Sequence, residues 1–282
     1  MIGELLRSSR PVSWINTAYP FAAGWLLAGG GIEPALIIGT VFFLVPYNLA
    51  LYGINDVFDH ASDLSNPRKG GAEGALLDTR LHRPMLVVSG LLVLPFVVLL
   101  VPLGGPVSWA VLGLSLLTLV GYSAPPLRTK EVPLLDSLTS SLHFVTPAVY
   151  GLALAGVEVD VVVTCAVIAF LFWGMASHAF GAVQDIGPDR EAGISSIATA
   201  FGARRTVRFA LALWVCAGLL MMGTGWPWAL AGLLALPYVA AALPHRSLPD
   251  SAAFRAHRGW RHFLWINYAS GAALTVLLMI AA

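Results

Sequence analysis

The sequence predicts an all-α, polytopic membrane protein, and three observations carry that prediction. Charged residues are 11% of the 282 and hydrophobic residues 57%; soluble domains carry about 25% charge. Apolar runs approaching 20 residues recur along the whole length, with a mean hydropathy of +0.78, and about 20 apolar residues are what a helix needs to cross hydrocarbon. Finally, when the runs are threaded in order, the basic residues all fall on one side. A backbone in lipid must pair its own polar groups, so helices are the spanning elements; a closed barrel would need short alternating strands.

Nine runs are counted, at about 13–30, 34–53, 85–103, 107–124, 135–155, 160–180, 206–224, 226–243 and 262–281. Arg7 and Arg10 precede the first. Arg68, Lys69, Arg80 and Arg83 follow the second, and Arg128 and Lys130 the fourth. Arg190, Arg204, Arg205 and Arg208 follow the sixth; Arg246, Arg255, Arg258 and Arg261 follow the eighth. That places all 16 basic residues on one face of a nine-helix layout. The positive-inside rule makes that face cytoplasmic, with the N-terminus inside and the C-terminus outside. The opposite loops carry little beyond Glu33, Glu158 and Asp160, so chemistry is expected on the cytoplasmic side of an integral cytoplasmic-membrane protein. The long polar loops at about 54–84 and 181–205 lie four helices apart, a hint of two similar halves within one transmembrane domain spanning 1–282. Met1–Pro11 does not read as a cleaved signal, because hydrophobicity continues through many later segments. Cys165 and Cys216 sit inside apolar runs and read as small buried hydrophobes. A net charge of +1 gives no basis for a nucleic-acid partner.

Acidic residues concentrate in two places. Asn55, Asp56, Asp59 and Asp63 close the second run, and the three aspartates, at i, i+3 and i+7, share one helical face. Like charges on one face repel, so a cation is expected between them. Mg²⁺ suits such a site, since it takes one or two carboxylates and completes its shell with water and phosphate oxygens. Asp185 and Asp189 form the second cluster, four apart, although Gly187-Pro188 argues against a continuous helix there. Either cluster alone reads equally as a solvated helix end; two at equivalent places favour a shared role in binding a diphosphate through two or more Mg²⁺. Arg68, Lys69, Arg128 and Lys130 lie near enough in sequence to assist, with Pro125-Pro126 setting a turn that delivers the last two. The bland reading of these cations is contact with lipid phosphate.

Asn-Asp-x-x-Asp-x-x-x-Asp at 55–63, Tyr-Ser-x-Pro-Pro-x-Arg-x-Lys at 122–130 and Asp-x-x-x-Asp at 185–189 together resemble the UbiA superfamily of intramembrane prenyltransferases. The resemblance covers essentially the whole chain. It implies a helical bundle around a central cavity in which Mg²⁺, held by both aspartate clusters, binds a prenyl diphosphate. By position, Asn55, Asp56, Asp59, Asp63, Asp185 and Asp189 would hold metal. Arg68, Lys69, Arg128 and Lys130 would hold diphosphate, and Tyr122 would lie beside the reacting carbon. Ser9–Phe21, Pro46-Tyr47-Asn48, Asn66–Gly74 and Leu171–Ser177 further resemble the lycopene elongase branch of actinobacterial C50-carotenoid pathways. That branch implies dimethylallyl diphosphate as donor and lycopene as acceptor.

On this reading Asp56, Asp185, Lys130 and Tyr122 carry catalysis. Electrostatic stabilisation of the departing diphosphate is the main catalytic effect, and the allylic cation needs a dry, π-rich pocket. Of the many aromatics, including Phe42, Phe43, Tyr47, Tyr150 and Trp173, only Tyr122 is assigned to the site; the others read first as packing or lipid-facing. His143 and His178 are the intramembrane candidates for a base, with an interhelical hydrogen bond as the alternative role of each. A UbiA-type enzyme with an acidic aromatic or quinone-precursor acceptor is the second reading, for which Arg10 would be the acceptor-binding cation. A channel or transporter is the rival from another class. It is disfavoured because its acidic residues should lie mid-membrane rather than at helix ends beside basic loops.

Overall fold

The computed structural model describes residues 2–64 and 76–281, and among them every regular element is helical. Fourteen α-helices follow one another: α1 (Ile2–Ser8), α2 (Ile15–Leu27), α3 (Pro34–Leu44), α4 (Pro46–Phe58), α5 (His60–Asp63), α6 (His82–Leu100), α7 (Pro106–Ser123), α8 (Leu135–Leu154), α9 (Val161–Val183), α10 (Ile186–Glu191), α11 (Ile197–Phe201), α12 (Ala203–Met222), α13 (Ala235–Ala242) and α14 (His257–Ala281). Among the described residues, seven stretches are long and apolar enough to cross a membrane: 34–58, 79–103, 106–123, 161–183, 203–222, 228–245 and 250–281. The other two expected runs are also helical. However, α2 has only 13 residues, about 20 Å at 1.5 Å per residue. And α8 is long enough, but Asp136, Ser137, Thr139, Ser141, His143 and Thr146 dilute its apolar character.

The chain forms two compact units, Met1–Thr129 with His143–Glu158, and Lys130–Leu142 with Val159–Ala282. In the first, Phe21, Phe42, Phe43, Tyr47, Leu51, Leu119 and Tyr150 form a buried core. The aromatics that the sequence offered as packing or pocket are here packing. Gly24 of α2 and Gly151 of α8 lie against backbone, of Ala148 and of Phe21 respectively, where a side chain of any size would collide; small residues let helices approach closely when lipid supplies no hydrophobic drive.

The span from 34 to 58 is broken at Val45. Pro46 has no N–H to donate and stands at the first position of α4, so carbonyls in the last turn of α3 lose their usual partners. Side chains replace them. The Thr17 hydroxyl donates to Phe43 O at 2.6 Å and the Asn48 amide donates to Phe43 O at 2.7 Å and Leu44 O at 3.1 Å. A break in hydrocarbon is tolerated when protein groups re-pair the freed backbone in this way. The break re-aims α4, whose far end carries the first aspartate cluster.

In the second unit α9 and α12 lie side by side with α13 and α14. Phe180, Trp214, Tyr238 and Phe263 are buried among them, and Trp260 stacks on Phe263 with centroids 4.6 Å apart. The cysteines differ from the buried pair expected: Cys165 is half-buried and Cys216 is exposed, both free thiols. Cys216 is on the outward face of α12, where an apolar thiol meets lipid at little cost.

Candidate active site

The first acidic cluster keeps helical spacing past the end of α4. Asp59 N–H bonds Asn55 O at 2.9 Å and Asp63 N–H bonds Asp59 O at 2.8 Å, so Asp56, Asp59 and Asp63 remain on one face. That face is turned inward: the three residues are 1%, 7% and 6% exposed. Buried carboxylates require charged or hydrogen-bonding partners, and the fold supplies them. Arg10 Nη2 is 3.1 Å from Asp56 Oδ1, and Arg128 Nη2 is 3.8 Å from Asp59 Oδ1. The Asn55 amide donates to Asp59 Oδ2 at 2.7 Å and to Ser123 Oγ at 2.9 Å, leaving its oxygen as the atom that would reach a cation.

Arg10, the cation that an acidic acceptor would call for, lies instead on Asp56. Its guanidinium carbon also lies 4.3 Å from the Tyr52 ring centroid, a cation–π contact. Its φ of 49° is left-handed, a conformation that costs a non-glycine residue about 1 kcal/mol. Arg10→Ala, which keeps the Cβ and so the strain while leaving the buried Asp56 carboxylate without its guanidinium, is expected to cost about 3 kcal/mol of stability. Thermal unfolding in detergent, set against Arg10→Lys, measures it.

Arg128 is also left-handed, at φ 38°, and its Nη1 reaches Phe58 O at 3.5 Å, at the C-terminal end of α4 where a cation is favoured. Tyr122 is half-buried and meets the edge of His143 with ring centroids 5.0 Å apart. His143 is buried, and its Nε2 is 3.2 Å from Thr118 O. This is the interhelical hydrogen bond named as its alternative role. Arg68 and Lys69 lie outside the described residues. Sequence reasoning missed Ser123, though its place beside Tyr122 in the motif was a usable signal. Its hydroxyl is what ties Asn55 to the end of α7.

The second cluster is built differently from the first. α9 stops at Val183, and Asp185 is the N-cap of α10. The helical break comes before Asp185 rather than at Gly187-Pro188, because Pro188 falls in the first turn of α10, where no N–H partner is required. Asp189 N–H bonds Asp185 O at 2.9 Å, so the two half-buried aspartates share a face. Lys130 lies within electrostatic reach of Asp189. Burial lowers its pKa to about 8 against the opposing pull of Glu131 and Asp189, so it remains a cation at neutral pH. His178 lies in the last turns of α9, seven residues before Asp185, with Nε2 3.7 Å from Asp136 Oδ2.

Among the described residues no group of three or more His, Cys, Asp or Glu side chains is arranged to hold a metal ion by itself. The donor set nonetheless suits Mg²⁺, which takes hard oxygen ligands, a few from protein and the rest from water and phosphate. Arg10 and Arg128 are the cations beside the first cluster, and Lys130 is the one within reach of the second.

Long apolar helices, with acidic clusters and basic partners at their ends, place the chain in the class of integral membrane proteins. The chain belongs to the UbiA prenyltransferase family, whose model matches residues 17–268, and it is a prenyltransferase. The C(50) beta-cyclic carotenoids biosynthesis protein LbtBC of Dietzia sp. is 48% identical over 99% of this chain, which spans 65% of that protein's length. A lycopene elongase/hydratase of Corynebacterium glutamicum is 46% identical over 98% of this chain and 96% of the relative. The resemblance to the lycopene elongase branch is thus borne out. A UbiA homologue from Archaeoglobus fulgidus, bound to DMAPP and Mg²⁺, superimposes with a TM-score of 0.67 over 95% of this chain and 99% of its own, at 19% identity. A homologue from Aeropyrum pernix K1 gives 0.65 over 94% and 98%, at 20% identity. These two likenesses establish the fold.

Proposed function

We propose that the protein transfers a dimethylallyl group from dimethylallyl diphosphate to one or both ends of lycopene, with Mg²⁺ bound by both aspartate clusters, giving C45 and C50 carotenoids. The observation that carries the acceptor assignment is the 46% identity to a lycopene elongase/hydratase across 96% of that relative's length. The donor site rests on Asp56, Asp59 and Asp63, buried on one face with Arg10 and Arg128 against them. Bound Mg²⁺ would neutralise the diphosphate and make it a better leaving group.

The residues of the chain do the rest. Arg128 and Lys130 bind the diphosphate and hold it as the C–O bond breaks. Tyr122 presents its ring to the allylic cation and helps keep water from it. A terminal double bond of lycopene attacks that cation, forming the new C–C bond and a tertiary cation, which loses a proton or is captured by water. His178 is the candidate base for that proton, whether it leaves carbon or water, because His143 is engaged with Thr118 O. The carotene, already dissolved in lipid, enters a central cavity sideways between helices. All nine runs cross the membrane, with α2 and α8 as the short and the polar members. The N-terminus, the basic loops and the site then lie on the cytoplasmic side and the C-terminus outside.

Expression in a lycopene-accumulating bacterium, followed by mass analysis of the pigments, tests the proposal. A gain of one or two C5 units, with or without added water, is the expected result. Unchanged lycopene would move the assignment to an aromatic or quinone-precursor acceptor.

A further inference from the structure

Asp136 has no part in the chemistry above, yet it is fully buried, with 0% of its surface exposed. It stands in the first turn of α8. Its Oδ1 accepts the Ser137 N–H at 2.6 Å and the Ser137 hydroxyl at 3.2 Å. Its Oδ2 accepts the Ile197 N–H at 2.6 Å, with His178 Nε2 at 3.7 Å from the same oxygen. For folding alone a buried carboxylate is a poor choice, since an apolar side chain of similar volume avoids its desolvation cost. What only an acceptor can do here is fix two backbone N–H groups at a set distance.

The Ser137 N–H belongs to α8, which begins just after the turn that carries Lys130, and the Ile197 N–H to α11. On one side, the Asp136 N–H bonds Val132 O at 2.8 Å, close behind the turn Thr129–Glu131 that presents Lys130. On the other, Ile197 is the first residue of α11, and α11 is tied back to α10. Arg190 Nη2 donates to Thr199 O at 3.0 Å, and the Ile194 N–H donates to Asp189 O at 2.8 Å. A single carboxylate therefore joins the Lys130 segment to the segment bearing Asp185 and Asp189, and touches the histidine two turns before Asp185.

We propose that Asp136 is a positioning residue for prenyl transfer, holding Lys130 and the Asp185–Asp189 pair at the spacing a Mg²⁺–diphosphate requires. This inference rests on the proposed function. Asp136 touches no substrate; it acts through Ile197 and the turn that carries Lys130.

The test is Asp136→Asn, whose amide retains one acceptor but sets an N–H against a backbone N–H. Displacements of about 1 Å at a reacting centre cost on the order of 10²-fold in rate, and a fall in kcat of that order is expected. The Mg²⁺ concentration for half-maximal rate should rise several-fold, thermal stabilisation by Mg²⁺ with inorganic diphosphate should shrink, and KM for lycopene should stay put. Ile197→Pro removes the same hydrogen bond from the other partner. Ser196 is extended at φ −151° and ψ 170°, as a residue before proline must be, and a first helical position accepts proline. It should move the same readouts in the same direction, and it decides the matter if Asp136→Asn does not fold. A merely structural bond would lower the unfolding temperature of both variants while leaving the rate per folded molecule and the Mg²⁺ dependence at wild type; that result overturns the proposal. Asp185→Ala serves as the reference. If it stays active, the proposed site is wrong; if it is inactive while both other variants match wild type, only the positioning role is lost.

Discussion

Alanine at Asp56 or at Asp185 is expected to abolish product, a loss on the order of 10³-fold or more in kcat, while the protein still inserts and folds. In the proposed mechanism each residue belongs to one aspartate cluster, and the departing diphosphate carries negative charge that cations held there would meet. Asp56 needs care as a target, because its side chain is fully enclosed and faces Arg10 at 3.1 Å. Removing it strands a guanidinium that is itself largely buried, which costs stability as well as activity. Asp56→Asn separates the two effects, since the amide oxygen still accepts from Arg10 but is a far weaker ligand for a divalent cation. Asp185 sits on a half-buried N-cap and should tolerate alanine better. Carotenoid yield in lycopene-accumulating cells, normalised to folded protein by size-exclusion chromatography in detergent, gives the readout. Wild-type yield from either alanine variant would remove the aspartates from the mechanism.

Lys130→Met is expected to lower kcat by about 10²-fold, to raise KM for the diphosphate and to leave KM for the carotene unchanged. Methionine keeps much of the unbranched stem and removes only the charge. That charge is partly stripped of water, which is why the Lys130 pKa falls to about 8 even though Glu131 and Asp189 pull the other way. A cation in such surroundings acts more strongly on a phosphate oxygen than one in bulk water. Steady-state kinetics against both substrates decides the point. Equal losses for donor and acceptor would show a general disturbance of the fold instead of a lost diphosphate contact.

Much of the fold was legible because lipid enforces a simple rule: a spanning segment must be apolar, long and helical. Seven of the nine runs satisfy it by length and composition, and the remaining two are helices at the expected places. α2 is short, and α8 is diluted by hydroxyls that find partners inside the protein, such as Thr146 donating to Ser115 at 3.0 Å. Hydropathy averages over such partners and so underrates that helix. The spacing of Asp56, Asp59 and Asp63 was equally readable, since one helical face follows from residue number alone. The location of the second helical break was not. Pro188 signals an interruption, but only the cap at Asp185 shows that it falls three residues earlier.

By itself, the sequence determined the membrane class, the helical elements, the two aspartate clusters and the family, all properties of local composition and spacing. It could not say which charge answers which. Arg10 lies 46 residues from Asp56, Arg128 lies 69 from Asp59 and Asp136 lies 61 from Ile197, and nothing in composition or periodicity links such distant positions. Those pairings were decided by the tertiary structure, because a carboxylate taken out of water must find its donors among whatever groups the packed helices bring beside it. The acidic stretch at 55–63 thus emerges as a buried face bound to two arginines, and Asp136, one aspartate among fifteen acidic residues in the sequence, as a tie between the start of α8 and the start of α11.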